Sequence, residues 1–167
     1  ALSDDCGATG TATVVFTATD ACGNTSTTTA RFTIEDTTAP TIDIPARDTV
    51  GECEGAGNAG AVAAWLAANG NAAASDVCSG TVTWTNDYTA LSDDCGATGT
   101  ATVVFTATDA CGNTSTTTAR FTIEDTTDPA IDVPARDTVV ECDGAGNAAA
   151  LAACFAANGT AAARVFS

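Results

Sequence analysis

Two consecutive stretches decide the fold of this chain: TATVVFTATD at residues 11–20 and TSTTTARFTIED at residues 25–36. Apolar and polar side chains alternate in both, so that Val14 and Phe16 share one face while the opposite face is mostly threonine. Alternation with a period of two is typical of a strand with one buried side and one wet side. The four residues between them, ACGN, include a glycine of the kind that tight turns favour. The pattern therefore predicts an antiparallel hairpin.

The hairpin sequence occurs twice in the chain. Residues 1–38 are identical to residues 90–127, which sets a period of 89 residues (90 − 1). Weaker similarity continues from 39–78 into 128–167. A repeat of this size corresponds to a whole domain, because solenoid repeats contain only one or two elements.

Two polar stretches that end in proline, IEDTTAP at 34–40 and IEDTTDP at 123–129, have the composition of linkers. With linkers there, 39–127 is one complete repeat, 1–38 is the C-terminal half of a repeat completed by the preceding copy, and 128–167 is the N-terminal half of a repeat completed by the following copy. Each half by itself would leave strand edges unpaired. We therefore expect copies to join head to tail, covalently or by strand exchange. The alternative is a chain cut arbitrarily from a longer array.

The first half of the repeat adds other elements to the hairpin. TIDIPARDTVGEC at 41–53 is predicted to be extended. Val62 and Trp65 recur with helical spacing and predict one short helix over about 59–68, preceded by an asparagine suited to capping it. TVTWTNDYT at 81–89 predicts a further strand. These residues indicate a sheet domain with one inserted helix.

Composition excludes several function classes. Five basic residues, all arginine, stand against 21 acidic ones, which gives a net charge of −16. Such a surface repels nucleic acid and anionic lipid and attracts cations. No apolar run approaches the roughly 18 residues that a membrane span needs. With no histidine, no lysine and one tyrosine, the chain offers few general acids or bases, so we do not expect an enzyme.

Eight cysteines in an acidic, threonine-rich chain predict disulfides formed in an oxidising, extracellular compartment. A zinc site is the alternative, but it would need closely spaced cysteine pairs or histidine. We expect the entry strand, the strand at 81–89 and the last strand at 114–125 to run in one direction, and the strand before the last to run in the other. These directions place Cys78 and Cys111 at one end of the complete repeat and Cys53 and Cys95 at the other. We expect two bridges within that repeat and two between copies: Cys53 with Cys95, Cys78 with Cys111, Cys142 with Cys6 of the next copy, and Cys154 with Cys22 of the next copy.

The hairpin and its linker, GTATVVFTATDACGNTS followed by TARFTIEDTTAP, resemble the hyalin-repeat-like (HYR-like), immunoglobulin-like modules of bacterial surface adhesins. ECDGAGN with the short helix and TVTWTNDY resembles a variant found in very long secreted repeat proteins. The resemblance implies an all-β fold of immunoglobulin-like β-sandwich tandem repeats. It also implies a structural role in an extracellular filament, fibre or stalk. The alternative is a cell-surface adhesin or glycan-binding module, which would usually expose aromatic side chains, whereas we expect Trp84 and Tyr88 to be packed.

Oxygen-bearing side chains gather where repeats are expected to meet, and calcium binds several such oxygens. We therefore predict that calcium stiffens the junctions. The candidate ligands are Glu35, Asp36, Asp43, Asp109 and Asn113 at the entry to the complete repeat, and Asp20, Asn24, Glu124, Asp125 and Asp132 at the equivalent junction. A second candidate set combines the DGAGN loop with Asp93 and Asp94. The alternative is that these residues serve only turns and solvation.

Overall fold

The computed structural model of the chain describes residues 2–3, 5–54, 58–92 and 94–164. Within these ranges the protein is mostly β, with short helices. The elements, in chain order, are β1 (Gly10–Thr19), β2 (Thr25–Ile34), β3 (Thr41–Ile44), β4 (Thr49–Glu52), α1 (Ala59–Ala67), β5 (Ala73–Ser75), β6 (Thr83–Asn86), β7 (Gly99–Thr108), β8 (Thr114–Glu124), β9 (Ala130–Val133), α2 (Ala148–Ala156) and β10 (Ala162–Arg164). Short 3₁₀ turns follow the helices at Asn69–Asn71 and Asn158–Thr160.

The long hairpin β7–β8 forms the centre of a four-stranded sheet with the order β4-β8-β7-β6. β6 runs antiparallel to β7, and β7 runs antiparallel to β8. β4 lies parallel to β8, from Thr49 beside Phe121 to Glu52 beside Glu124. β3 and β5 form a separate two-stranded antiparallel sheet. The strand directions that the sequence predicted for the complete repeat are therefore confirmed.

The core lies between the hairpin β7–β8 and helix α1, where the apolar positions of the alternating strand pattern meet the helix. Its buried members are Val62, Trp65, Ala101, Val103, Phe105, Ala119, Phe121 and Ile123. The Trp65 ring packs edge-on to Phe105 at a centroid distance of 5.2 Å and lies 5.3 Å from Phe121. Its indole N–H donates to the Arg47 carbonyl at 3.1 Å. Trp84 and Tyr88 are partly buried against this core, as expected.

The turn before α1 depends on one asparagine. Asn58 has a left-handed backbone (φ 50°), a conformation that asparagine tolerates better than most residues. Its side chain does not cap the helix as predicted. Instead Oδ1 accepts from the Glu54 N–H at 3.0 Å and Nδ2 donates to the Glu52 carbonyl at 2.7 Å. The asparagine therefore ties the start of the helix to the end of β4, and Asn147 makes the corresponding bonds to Asp143 and Glu141 before α2.

The two identical hairpins differ in burial. β1 and β2 pair in the same register as β7 and β8, from Gly10 opposite Ile34 onward. However, Phe16 is 56% exposed, whereas its counterpart Phe105 is 0% exposed. Among the described residues β1 and β2 form a sheet of only two strands, without counterparts of the strands that flank β7–β8. The apolar face of the first hairpin is therefore left open to solvent.

The segment from β9 to β10 repeats the fold of the segment from β3 to β5. β9 pairs with β10 with a register shift like that between β3 and β5, and α2 stands where α1 stands in the complete repeat. Its helix has no buried residues, and Leu151 and Phe155 are exposed. This segment thus also carries an apolar face without a cover among the described residues.

Candidate metal centre at a disulfide-bridged junction

A disulfide joins the first hairpin to the complete repeat. It links Cys6, in the loop before β1, to Cys111, in the turn between β7 and β8, with a Cα–Cα distance of 5.2 Å across a sequence separation of 105 residues. Beside it, the Ala8 N–H donates to the Cys78 carbonyl at 3.0 Å. The junction is therefore covalent and is supported by a backbone hydrogen bond.

Both bridged cysteines sit in loops closed by side-chain hydrogen bonds. The Thr9 hydroxyl accepts from the Cys6 N–H at 3.1 Å and donates to the Cys6 carbonyl at 2.6 Å. On the other side, Asp109 Oδ1 accepts from the N–H groups of Cys111 and Asn113 at 2.9 and 2.8 Å. These bonds hold each loop in one shape, which fixes the position from which its sulfur projects.

Close approach at this junction requires glycine at position 7. Gly7 has a left-handed backbone (φ +54°), and a Cβ built on it would lie 2.4 Å from the Cys78 carbonyl oxygen. Any larger residue would collide with backbone, which has no flexible side chain to move aside. The glycine in the CGATG loop thus allows the first hairpin to dock beside Cys78.

Three carboxylates converge next to the disulfide. Oxygens of Asp36, Asp76 and Asp109 all lie within 4.8 Å of one another, and this is the only such acidic or metal-ligating group found among the described residues. Asp36 follows β2 in the linker, Asp76 follows β5, and Asp109 follows β7. The Asn113 amide donates to the Asp36 carbonyl at 3.2 Å and to Asp109 Oδ2 at 2.8 Å. The cluster therefore spans the linker and the complete repeat.

One carboxylate oxygen of the cluster is buried without a hydrogen-bond partner among the described residues. Asp76 Oδ1 accepts from the N–H groups of Cys78 and Ser79, and Asp36 Oδ1 accepts from Thr38 N–H. Asp36 Oδ2 is buried and unpaired among the described residues. A buried charged oxygen without a donor is costly, so a cation at this point would relieve the cost.

The electrostatics of the cluster follow from its charge. Burial alone raises the pKa of Asp109, but hydrogen bonds from the Asn113 side chain and from backbone N–H groups of the same turn outweigh it, so this pKa lies below its ordinary value. Loss of hydration, reinforced by the three carboxylates, raises the pKa of the Cys78 thiol. At neutral pH Asp109 is therefore ionised and Cys78 is protonated, which leaves the cluster strongly negative.

The structure brings together three of the five ligands predicted at this entry, Asp36, Asp109 and Asn113. Glu35 lies beside them and lines an open cleft of about 510 Å³ next to the bridge. Asp43 is not part of the three-carboxylate cluster, and its carboxylate accepts from the hydroxyl of Ser75, the residue before Asp76, at 3.1 Å.

Asp76 was not among the ligands predicted from the sequence. A signal for it was present, because Asp76 precedes Cys78 by two residues, and the strand directions had placed Cys78 at the same end of the repeat as Cys111. Proximity to a residue already assigned to the junction would have added Asp76 to the candidate set.

The ligands predicted for the equivalent junction do not meet in this chain. Asp20 and Asn24 form the same turn as Asp109 and Asn113, with the amide donating at 2.8 Å, but both are exposed. Asp125 accepts from Thr127 N–H as Asp36 does from Thr38. Glu124 and Asp132 are exposed on the exit side. These residues remain predicted ligands of a junction with a neighbouring repeat.

The second predicted metal set, the DGAGN loop with Asp93 and Asp94, stays a prediction. Asp93 lies outside the described residues. The carboxylate of Asp143 accepts from the N–H groups of Asn147 and Ala145, and these bonds hold its pKa below the ordinary value. Asp143 therefore stabilises its own DGAGN loop.

The exit linker is held by a different carboxylate. Glu52, at the end of β4, accepts from the Thr126 N–H at 2.7 Å and from the hydroxyls of Thr126 and Thr127 at 2.9 and 3.1 Å. These bonds, chiefly that from the Thr126 N–H, lower the pKa of Glu52. The linker therefore leaves the complete repeat in a defined direction.

The disulfide pairing differs from the sequence prediction. Cys111 is bonded to Cys6 and not to Cys78, because the loop that carries Cys6 docks at the end of the repeat where Cys78 and Cys111 both lie. The expected bridge between Cys142 and Cys6 of another copy is likewise not formed, since the structure already uses Cys6.

Cys53 and Cys95 lie near the same end of the repeat but are both free thiols. Cys53 is half-buried and packs against the core, whereas Cys95 is exposed and its sulfur lies 3.4 Å from the Thr98 hydroxyl in its own loop. The Cys154–Cys22 bridge would join two copies and stays a prediction. Among the described residues the free cysteines are Cys22, Cys53, Cys78, Cys95, Cys142 and Cys154.

Comparison with known proteins gives one similarity. The profile of a family described as bacterial Ig-like domain (group 3) matches residues 5–58, a stretch that runs from the bridged loop through β1 to β4 and covers less than half of the chain. The chain has no match among the curated proteins. In the described part of the chain, no helix has the length and hydropathy that crossing a bilayer requires. The matched stretch, the strand content and the bridge support a bacterial Ig-like repeat with an all-β fold.

Proposed function

We propose that this protein is a structural module of an extracellular bacterial fibre or stalk, in which Ig-like repeats join head to tail. The observation that carries the proposal is the contrast between the two identical hairpins, with Phe105 buried and Phe16 exposed. An exposed face of large apolar side chains marks a site of association. The Cys6–Cys111 disulfide and the Ig-like match support an extracellular location.

The complete repeat indicates what would cover the open hairpin. There, β4 pairs with the edge of β8, and α1 packs its tryptophan on the apolar face. Residues 128–164 carry the counterparts of β3, α1 and β5, with their own apolar side chains exposed. We propose that this segment of one copy covers the hairpin β1–β2 of the next. The contact is heterologous and non-closing, which produces a filament.

The assembly is tested by sedimentation of the reduced chain over a range of concentrations. We expect the weight-average mass to rise with concentration in the wild type and Phe16→Ser to suppress that rise, because Phe16 lies on the open face. Thr17→Ser changes the opposite face of the same strand and serves as the matched control. A wild type that stays monomeric throughout, or equal behaviour of the two variants, would contradict the assembly.

Calcium is the second part of the proposal. Asp36, Asp76 and Asp109 would supply carboxylate oxygens, and the unpaired Asp36 Oδ2 fits a bound cation. A hard cation binds such oxygens and would offset the repulsion among three close negative charges. Because Asp36 belongs to the linker and the other two belong to the complete repeat, the ion would stiffen the junction.

The calcium site is tested by urea unfolding of the dilute monomer with 10 mM calcium or with chelator. For an extracellular site with a Kd of about 0.1–1 mM, calcium should raise the free energy of unfolding by roughly 1.4–2.7 kcal/mol. Asp36→Asn should abolish the response, whereas Asp125→Asn, at the equivalent linker position, should retain it. The absence of a calcium effect, or an equal loss in both variants, would remove calcium from the proposal.

A further inference from the structure

We infer that Cys95 of one copy forms a disulfide with Cys22 of the next copy, in place of the Cys154–Cys22 bridge expected from the sequence, so that the bridge seen within one chain between Cys6 and Cys111 recurs between chains. The partner is a second copy of this protein. The inference rests on the proposed head-to-tail assembly and specifies how its junctions are sealed.

The loop that carries Cys95 has the same local structure as the bridged loop of Cys6. The Cys95 N–H donates to the Thr98 hydroxyl at 3.2 Å, and that hydroxyl donates to the Cys95 carbonyl at 2.7 Å. The corresponding distances around Cys6 are 3.1 and 2.6 Å. In addition, the N–H of Ser92 donates to Thr100 just as that of Ser3 donates to Thr11. The Cys95 thiol is therefore presented in the geometry of a cysteine that is already bridged.

The turn that carries Cys22 matches the turn of Cys111. Asp20 Oδ1 accepts from the Cys22 N–H at 2.9 Å and from the Asn24 N–H at 2.8 Å. The corresponding bonds from Asp109 are 2.9 and 2.8 Å. Cys22 and Cys95 are both exposed and both free in the chain. Each half of the known bridge is thus present a second time, without its partner.

The polarity of the chain brings these two halves together in the assembly. In the known case, the linker after β2 leads into the complete repeat. The turn that is bridged to Cys6 is the tip of hairpin β7–β8 in that same repeat. The linker after β8 leads in the same way into residues 128–164. In the proposed assembly those residues cover hairpin β1–β2 of the next copy, whose tip carries Cys22. Cys95, in the loop before β7, then faces that tip as Cys6 faces Cys111.

The second junction differs from the first at two positions. Asp76 and Cys78, which lie close to the known bridge, correspond in sequence to Val165 and Ser167. This junction therefore lacks an equivalent of the Cys78 thiol, which lies beside the known bridge. The other cysteines of the segment are Cys142, which corresponds to Cys53 at the other end of the repeat, and Cys154, which corresponds to Trp65 in the helix.

The bond forms by oxidation of two thiols. Each thiol gives up one proton and one electron, the two sulfurs form the S–S bond, and a small disulfide oxidant, such as oxidised glutathione, accepts both electrons and both protons to become two thiols. Docking of the two loops raises the effective concentration of one thiol near the other.

Cys22→Ser and Cys95→Ser test the pairing, because each variant keeps only one half of the proposed bridge. In a glutathione redox buffer, wild type should form a ladder of reductant-sensitive oligomers. Either variant alone should stay monomeric, and an equal mixture should give a covalent dimer at least roughly tenfold above either variant alone. Peptide mapping of that dimer should find Cys22 linked to Cys95. Cys142→Ser, which removes another exposed free cysteine, should leave the ladder unchanged.

The outcomes separate this inference from the assembly itself. Reduced wild type that associates in sedimentation but forms no Cys22–Cys95 link would overturn the bridge and leave the filament. Covalent dimers in either variant alone, or links through other cysteines, would also overturn it. Chains that neither associate nor cross-link would overturn both proposals.

Discussion

The two copies of the hairpin allow one substitution to be made twice in identical sequence but in different surroundings. Phe105→Ala removes a fully buried ring in the complete repeat, and Phe16→Ala removes the same ring at 56% exposure in the open hairpin. Because sequence and strand register are shared, strand propensity and hairpin stability change equally. Any difference between the two variants in the loss of unfolding free energy therefore measures the contribution of the side chains that cover the hairpin.

The expected magnitudes follow from burial. Truncation of a buried phenylalanine costs about 3–5 kcal/mol, which includes the cavity that it leaves. For Phe105 this cost includes the edge-on contact with Trp65 at 5.2 Å, and such pairs contribute about 0.5–1.5 kcal/mol. Phe16 has less than half of its surface to lose and leaves no closed cavity, so we expect a cost of about 1 kcal/mol or less.

Urea unfolding of the dilute protein followed by tryptophan fluorescence measures this difference, because Trp65 and Trp84 both lie in the complete repeat. Phe105→Ala should shift the unfolding midpoint strongly, and Phe16→Ala should barely move it. At concentrations that favour assembly, the Phe16→Ala effect should grow. Equal shifts of the unfolding midpoint in dilute solution would mean that the first hairpin is covered within one chain, which would contradict the proposed association.

Two further predictions follow from the junctions. The Cys6–Cys111 bridge spans a sequence separation of 105 residues, and closing a loop of that size stabilises the fold by up to about 4.7 kcal/mol in the chain-entropy description. Cys6→Ser should therefore lower the free energy of unfolding by several kcal/mol. A loss below about 1 kcal/mol in urea titration would show that other contacts hold the junction. The pKa of Glu52 is lowered on folding by its bonds to the exit linker, so its contribution to stability is present above the ordinary glutamate pKa of about 4.3 and is lost as the pH falls through and below that value. Glu52→Gln should accordingly be less stable than wild type at pH 6, and this difference should shrink as the pH falls below about 4.3; a difference that does not depend on pH would contradict this assignment.

The sequence was sufficient to predict the hairpin, the helix and the strand directions of the main sheet, but not strand β5 or the division of residues 41–53 into β3 and β4. The alternation around Phe105 predicted the hairpin, and the spacing of Val62 and Trp65 predicted the helix that covers it. Both signals are local, because a strand or helix that buries one face repeats its apolar residues at a fixed interval.

The pairing of the cysteines could be predicted only in part. Strand order placed Cys78 and Cys111 at one end of the repeat, but it could not choose between partners at that end. Cys6 belongs to the other side of a linker, and its approach depends on the backbone fit of Gly7 against the Cys78 carbonyl. Asp76 was missed for the same reason, since its neighbours come from distant parts of the chain and no periodic pattern marks it.

The Cys6–Cys111 bridge also decides which part of the chain would carry a pulling force. Tension applied to the residues before Cys6 crosses the bond to Cys111 and continues along the 11 residues of β8 to the exit linker. The polypeptide between the two cysteines lies outside this path and stays slack, so it cannot be drawn out while the bond holds. With the disulfide intact, a chain pulled between the residues before Cys6 and the exit linker would therefore lengthen little, even where the rest of the complete repeat had come apart.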